Sequence, residues 1–292
     1  MLITKDVTIT YTNSRGLSMN LAMYAPYDLH SCNDTYLEND MISERLGSDH
    51  GEELISSSLG LRYIEITGRF NRVTLRREMR REMERVFNPT LEGTLRYHNA
   101  ANGSVRTITC KLAALPEISF RGTGVFFTIN LVCHYPFYKG ISVTEHISLI
   151  NKRGYFPLVI PEDTGFVFGY RSDTLQTTFE NLGDVAAGAT YVLIADGGTV
   201  TNPRITHLES GRTVRINYPM QNGDVIRVIS VPNEAAIFIN GSINGMPYLE
   251  FNPDGNFFML DFGMNTIAYD ADENATNLSV SVFYDPVYLG VP

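Results

Sequence analysis

The sequence predicts a mainly β protein of two domains, the first a sheet carrying one helix and the second a β-sandwich of jelly-roll type. Three observations predict it. Tyr and Phe number 16 each beside 24 Gly, 13 Pro and no Trp, a mixture of strand-favouring aromatics and turn formers. Short alternating apolar segments recur with turn residues between them. A single helical period interrupts them, at residues 72–87, and 292 residues suffice for two cores of ordinary size.

In chain order, residues 1–27 alternate as strands do. Residues 28–59 then carry eight acidic side chains against one basic, Arg45, and read as a long loop, functional or ordered by a partner. Residues 62–67 form a strand. The helix follows, with Leu75, Met79, Met83 and Phe87 on one stripe and Arg76, Arg77, Glu78, Arg80, Arg81, Glu82, Glu84 and Arg85 on the other faces. Thr74 is its expected N-cap, without a capping box because Arg77 stands three residues on. Asn88-Pro89 ends it, since proline lacks a donor and biases the preceding residue away from the α region. Arg80 with Glu84, and Glu78 with Arg81, are placed to pair across adjacent turns.

Strands are expected next at 93–97, 105–112 and 125–134, with a hairpin signal at Asn102-Gly103. The aromatic and proline cluster 134–140 punctuates the chain, giving domains 1–139 and 140–292. Beyond it strands are expected at 144–149, 166–170, 190–195, 213–218, 225–231, 236–240, 266–269 and 278–284, with turns such as Asp196-Gly197-Gly198 and Asn222-Gly223-Asp224 between them.

The net charge of −9 is uneven: residues 1–140 carry 16 basic and 15 acidic groups, residues 141–292 carry 7 and 17. Such a chain is ill suited to gripping a nucleic-acid backbone. Cys32, Cys110 and Cys133 form no CxxC pair and read as reduced, buried thiols. The first residues show no basic region followed by a long apolar run, so no secretory signal is expected, and no apolar run is long enough to span a membrane. The six histidines show no metal-binding spacing, and no GxSxG, P-loop or GxGxxG is present. Asp270-Ala271-Asp272-Glu273-Asn274 imitates the start of a calcium loop, but Ala275 stands where that loop needs Gly and Ser281 where it needs Glu. These absences lead to an expectation of no enzyme, no metal and no cofactor.

Several blocks, taken in order, resemble the distal tail protein family of siphovirus-type bacteriophages. The first is Asp49-His50-Gly51-Glu52, then 57–68, the helix with Asn88-Pro89, and 126–133 running into Tyr135-Pro136-Phe137-Tyr138. The second is Asn181-Leu182-Gly183-Asp184, Asn202-Pro203-Arg204-Ile205, Ser210-Gly211, Asn222-Gly223-Asp224, 263–267 and 284–291. Order and spacing carry the resemblance, since each piece alone is a common turn. Tyr138 stands where such proteins often have Trp.

The resemblance implies an N-terminal domain like a tail-tube subunit, a β-sandwich with one flanking helix, closing into a homo-hexameric ring around a DNA channel. It implies a galectin-like C-terminal domain that serves as a docking platform. The implied partners are the tail tube protein, the tail-tip or tail-associated lysin protein, and receptor-binding or side-fibre proteins, in the virion at the distal end of the tail. DNA would pass through without sequence-specific binding. Under this reading Arg76, Arg77, Arg80, Arg81 and Arg85 are the expected subunit-interface residues. The alternative is a carbohydrate-binding module that attaches the particle to a cell-wall glycan, resting on Tyr and Phe for want of Trp. A glycan hydrolase would need two facing carboxylates, which the sequence offers no way to pair.

Overall fold

A computed structural model describes residues 3–45, 50–71, 76–122, 124–147, 150–152, 169–171, 175–253 and 255–292. The chain forms two compact units, Met1–Ile141 with Tyr288–Pro292, and Ser142–Val287.

The first unit is built from strands β1 (Val7–Asn13), β2 (Ser18–Ala22), β3 (Tyr27–Glu44) and β4 (Glu53–Phe70), helix α1 (Arg76–Val86), then β5 (Glu92–Asn99), β6 (Ser104–Leu112), β7 (Glu117–Arg121), β8 (Gly124–Cys133) and β9 (Tyr138–Lys139). Among the described residues α1 is the one α-helix, as the sequence pattern requires. The strand order is β9-β6-β5-β1-β2-β3-β4-β8-β7, and β6 also pairs with β8, so the sheet closes on itself. Every second residue therefore points into one interior: Val7, Ile9 and Tyr11 of β1, Ile64 and Ile66 of β4, and Val125, Phe127, Ile129 and Leu131 of β8 are all buried. Gly93 is needed beneath the Tyr11 ring, where a Cβ would stand 2.4 Å from ring atoms. The β5–β6 hairpin turns through Asn102-Gly103, with Asn99 opposite Ser104 and Gly103 at φ 70°.

The loop expected at 28–59 is not there. Residues 28–44 and 53–59 lie instead in β3 and β4, 18-residue strands paired from Tyr27 opposite Phe70 to Glu44 opposite Glu53. Four register shifts interrupt the pairing, which bends and twists a long ribbon. The period-2 signal was invisible because beyond Asp34 the ribbon has no buried face to impose apolar alternation.

The second unit contains β10 (Val143–Ile147), β11 (Ile150–Lys152), β12 (Gly169–Arg171), β13 (Gln176–Asn181), β14 (Ala189–Ala195), β15 (Val200–Thr201), β16 (Arg204–His207), β17 (Arg212–Arg215), β18 (Pro219–Met220), β19 (Val225–Ser230), β20 (Ala236–Ile239), β21 (Ile243–Asn244), β22 (Gly263–Asp270) and β23 (Leu278–Tyr284). A six-stranded sheet runs β10-β23-β14-β19-β20-β21 and a four-stranded sheet β13-β22-β16-β17. They pack face to face through contacts such as Phe179 stacked on Tyr284 at 5.7 Å. Tyr191, Leu193, Ile226, Val228, Val280 and Val282 fill one side of the core, and Ile205, Val214, Ile267 and Tyr269 the other. The strand expected at 166–170 falls mostly outside the described residues, as does Leu149 of the strand expected at 144–149.

All three cysteines are free and buried. Burial pushes the Cys32 thiol up to about 12, with Asp34 adding to it. A hydrogen bond with Cys133, then burial, raises Cys110 further. Only the thiolate is nucleophilic, so the folded chain should resist iodoacetamide at mildly alkaline pH while the denatured chain takes up three equivalents. Mass spectrometry of native and unfolded samples checks this, and rapid native labelling would contradict the burial.

Candidate functional site

The residues singled out for subunit contact sit on α1, held to the first sheet by its apolar stripe. Met79, Met83 and Val86 are buried, as is Phe87 just beyond, where it stacks on Tyr11 with ring centroids 4.4 Å apart. Val86 joins the stripe although the four-residue period did not include it, and Leu75 and Thr74 lie outside the described residues. Two polar contacts fix the helix further. Asn13 Nδ2 donates to the Val86 carbonyl at 2.9 Å, satisfying an end carbonyl that the helix itself leaves open. The Tyr27 hydroxyl donates to Glu82 Oε2 at 2.6 Å.

Arg77, Arg80, Arg81 and Arg85 are exposed, whereas the side chain of Arg76 lies outside the description. Arg80 pairs with Glu84 at 2.8 Å, as its spacing suggests, but no Glu78–Arg81 pair forms among the described residues. An exposed i,i+4 pair contributes only about 0.3–0.5 kcal/mol, while each buried side chain of the stripe contributes about 1.5–3 kcal/mol. Packing therefore anchors the helix and leaves its arginines available. Arg77 and Arg80 also border a shallow recess of about 270 Å³ lined by Phe70, Ile118, Phe120 and Val125.

A second surface lies in the acidic stretch that the sequence offers as a partner-ordered loop, here built from strands. The outer half of the β3–β4 ribbon is exposed on both faces, and its apolar side chains are among the most open in the molecule: Ile42 and Ile55 are each 60% accessible, with Met41, Leu54 and Tyr36 similar. Glu38, Asp40, Glu44, Glu52 and Glu53 are interspersed with them. Contiguous exposed apolar groups of this kind mark contact surfaces. Their trace in the sequence was the few Ile, Leu and Met residues stranded in an otherwise polar run.

The base of the ribbon is fixed by Arg62, which the sequence did not single out and which is only 3% accessible. Its Nε donates to the Pro136 carbonyl at 2.6 Å, its Nη1 to the Asp34 carbonyl at 2.9 Å and its Nη2 to the Leu289 carbonyl. The guanidinium lies over the Tyr138 ring, 5.2 Å from its centroid, and the Tyr138 hydroxyl donates to Asp34 Oδ2 at 3.1 Å. Burial, then the negative Asp34, raises the Tyr138 hydroxyl well above its ordinary value, so it stays a donor. Tyr138 thus uses both its ring and its hydroxyl.

Among the described residues no grouping of His, Cys, Asp and Glu could hold a metal ion, and no helix is long and apolar enough to cross a membrane. The calcium-loop imitation has its carboxylates engaged otherwise: Asp270 pairs with Arg204, and Asp272 with Arg215 at 2.6 Å.

Comparison with known proteins agrees with this geometry. Residues 183–288 match the family described as siphovirus-type tail component, C-terminal domain. The crystal structure of the Dit (gp 19.1) protein of phage SPP1, described as a paradigm of hub adsorption apparatus in phages infecting Gram-positive bacteria, superposes with a TM-score of 0.68 at 13% identity, covering 96% of this chain and 99% of that one. A chain of the phage P2 baseplate in its activated conformation with Ca is matched at TM-score 0.44 and 10% identity, over 95% of this chain and 97% of that one. No curated protein gives a significant match. The chain therefore shares the fold of that SPP1 protein, and its residues 183–288 match the siphovirus-type tail component C-terminal domain family.

Proposed function

We propose that the chain is a structural hub at the distal end of a phage tail, six copies closing into a ring through the first unit. The observation that carries this reading is the β3–β4 ribbon, a long, regular element exposed on both faces and studded with Ile, Leu and Met. An isolated two-stranded ribbon is marginal in water, and a neighbouring subunit would supply the missing packing. Closure would be heterologous, the ribbon of one copy meeting a different face of the next. The acidic ribbon and the basic helix face suit such a pairing, with the exposed Arg77, Arg80, Arg81 and Arg85 presented to a neighbour. Rim pairs of this kind direct orientation and encounter more than they add affinity.

In this reading residues 1–139 form the tube-like domain that stacks on the tail tube protein. Residues 140–292 form a galectin-like sandwich that offers a platform to the tail-tip or tail-associated lysin protein and to receptor-binding components. The work is binding, and DNA passes the ring without sequence-specific contact, in keeping with the acidic chain.

The test is assembly. Light scattering and electron microscopy of the purified protein, alone and with its tube protein, should give ring-sized particles. Replacing residues 40–58 by Asn-Gly, between the Asn39 and Leu59 partners, should yield a folded monomer, because the described residues among those deleted are exposed. Charge reversal at Arg77, Arg80, Arg81 and Arg85 should weaken assembly more than folding. A protein that stays monomeric and never enters tail particles would overturn the reading.

A further inference from the structure

The outer face of the four-stranded sheet in the second unit carries an open cleft of about 490 Å³ that the hub reading does not use. Strand alternation builds it. Ile205, His207 and Val214 point into the core, so Arg204 and Thr206 of β16, and Thr213 and Arg215 of β17, face outward. The register places Arg204 opposite Arg215 and Thr206 opposite Thr213, whose hydroxyls lie 3.0 Å apart. The short threonines leave a floor, the arginines form one wall, and Phe251 stands at the border, 83% accessible.

The cations of the cleft are already paired with carboxylates. Arg204 pairs with Asp270 and lies 3.8 Å from Asp272; Arg215 lies 2.6 Å from Asp272 and 3.3 Å from Glu250. Asn202 Nδ2 donates to Asp272 at 2.9 Å, and this hydrogen bond, helped by Arg215, holds the Asp272 carboxyl below the usual carboxylate range. Two guanidiniums against three carboxylates give no anion trap. They give donors fixed beside acceptors, on a polar floor, with Arg215 Nε buried and without a partner. Adjacent hydroxyls on a sugar ring need that alternation, because each hydroxyl both donates and accepts. The exposed ring of Phe251 suits the apolar C–H face of the same sugar.

We propose that this cleft binds a neutral saccharide, its hydroxyls on the Arg204, Arg215 and carboxylate network and one ring face against Phe251. Small sites of this kind fix orientation with a few placed polar groups and draw affinity from an apolar contact.

The experiment is saturation-transfer NMR with calorimetry on the full chain, using a panel of neutral di- and trisaccharides, with a uronate oligosaccharide and a glycerol-phosphate oligomer as charged probes. At least one neutral saccharide should bind with Kd between about 10 μM and 1 mM. Its affinity should be unchanged between low and high salt, since no net charge is neutralised. Phe251→Ala should weaken it about tenfold with Tm unchanged, because the ring is on the surface. The proposal is overturned if no neutral saccharide binds, if binding is indifferent to Phe251→Ala, or if only the charged probes bind and salt releases them. Particle mass reads ring assembly separately, so failure here leaves the hub reading standing.

Discussion

Arg62→Met should destabilise the first unit by about 3–5 kcal/mol. Methionine fills much of the same volume but withdraws every donor. The buried carbonyls of Asp34 and Pro136 would each lose a donor, the Arg62–Leu289 hydrogen bond would go, and Tyr138 would lose the cation over its ring. Arg62→Lys should fall between the two, because an ammonium keeps the charge but lacks the planar fork that reaches three separate acceptors. Urea unfolding followed by tyrosine fluorescence measures both variants. A loss below about 1 kcal/mol for Arg62→Met would show that the carbonyls find other donors, and would remove Arg62 as the fixing point of the ribbon.

Phe87→Ala should cost about 3–5 kcal/mol and should loosen α1 before the sheet unfolds. The ring is fully buried and stacked on Tyr11, so its removal opens a cavity at the point where the helix rejoins the strands. The closed sheet around Tyr11 and Gly93 has little freedom to fill that space. Helix arginines make the loosening measurable, since trypsin cuts after arginine only where the backbone can open. Native-state proteolysis should show early cleavage within residues 76–86 of the variant and none in the parent. Equal resistance of the two would mean that Asn13 and Tyr27, which hold the helix through Val86 and Glu82, suffice without the ring.

Where one face of a strand is buried, the sequence announced it. β8 alternates along its length, and β14 and β23 do the same, so their extents were legible to within a residue or two. α1 was legible for the same reason, because a single buried face imposes a single period. The ribbon was not, since a strand exposed on both sides places no demand on alternation, and its polar composition is that of a loop. Arg62 was illegible for a different reason. Its acceptors are backbone carbonyls of residues 28, 74 and 227 positions away, and a carbonyl leaves no mark on residue identity. Arg77, Arg80, Arg81 and Arg85 of the helix are exposed, but what they meet depends on another molecule.

The arginine that ties Asp34 to Leu289 also sets an order in time. Arg106 stacks over Tyr288, its guanidinium 3.4 Å from the ring centroid, and the Tyr97 hydroxyl donates to the Pro292 carbonyl at 3.0 Å. The first unit is therefore completed by residues 288–292, which the ribosome supplies only after all of Ser142–Val287. At ordinary synthesis rates that is a wait of roughly 10–30 s, during which the ribbon's base lacks its third carbonyl acceptor. A chain cut short anywhere in the second unit would lack residues 288–292 and so never complete the first.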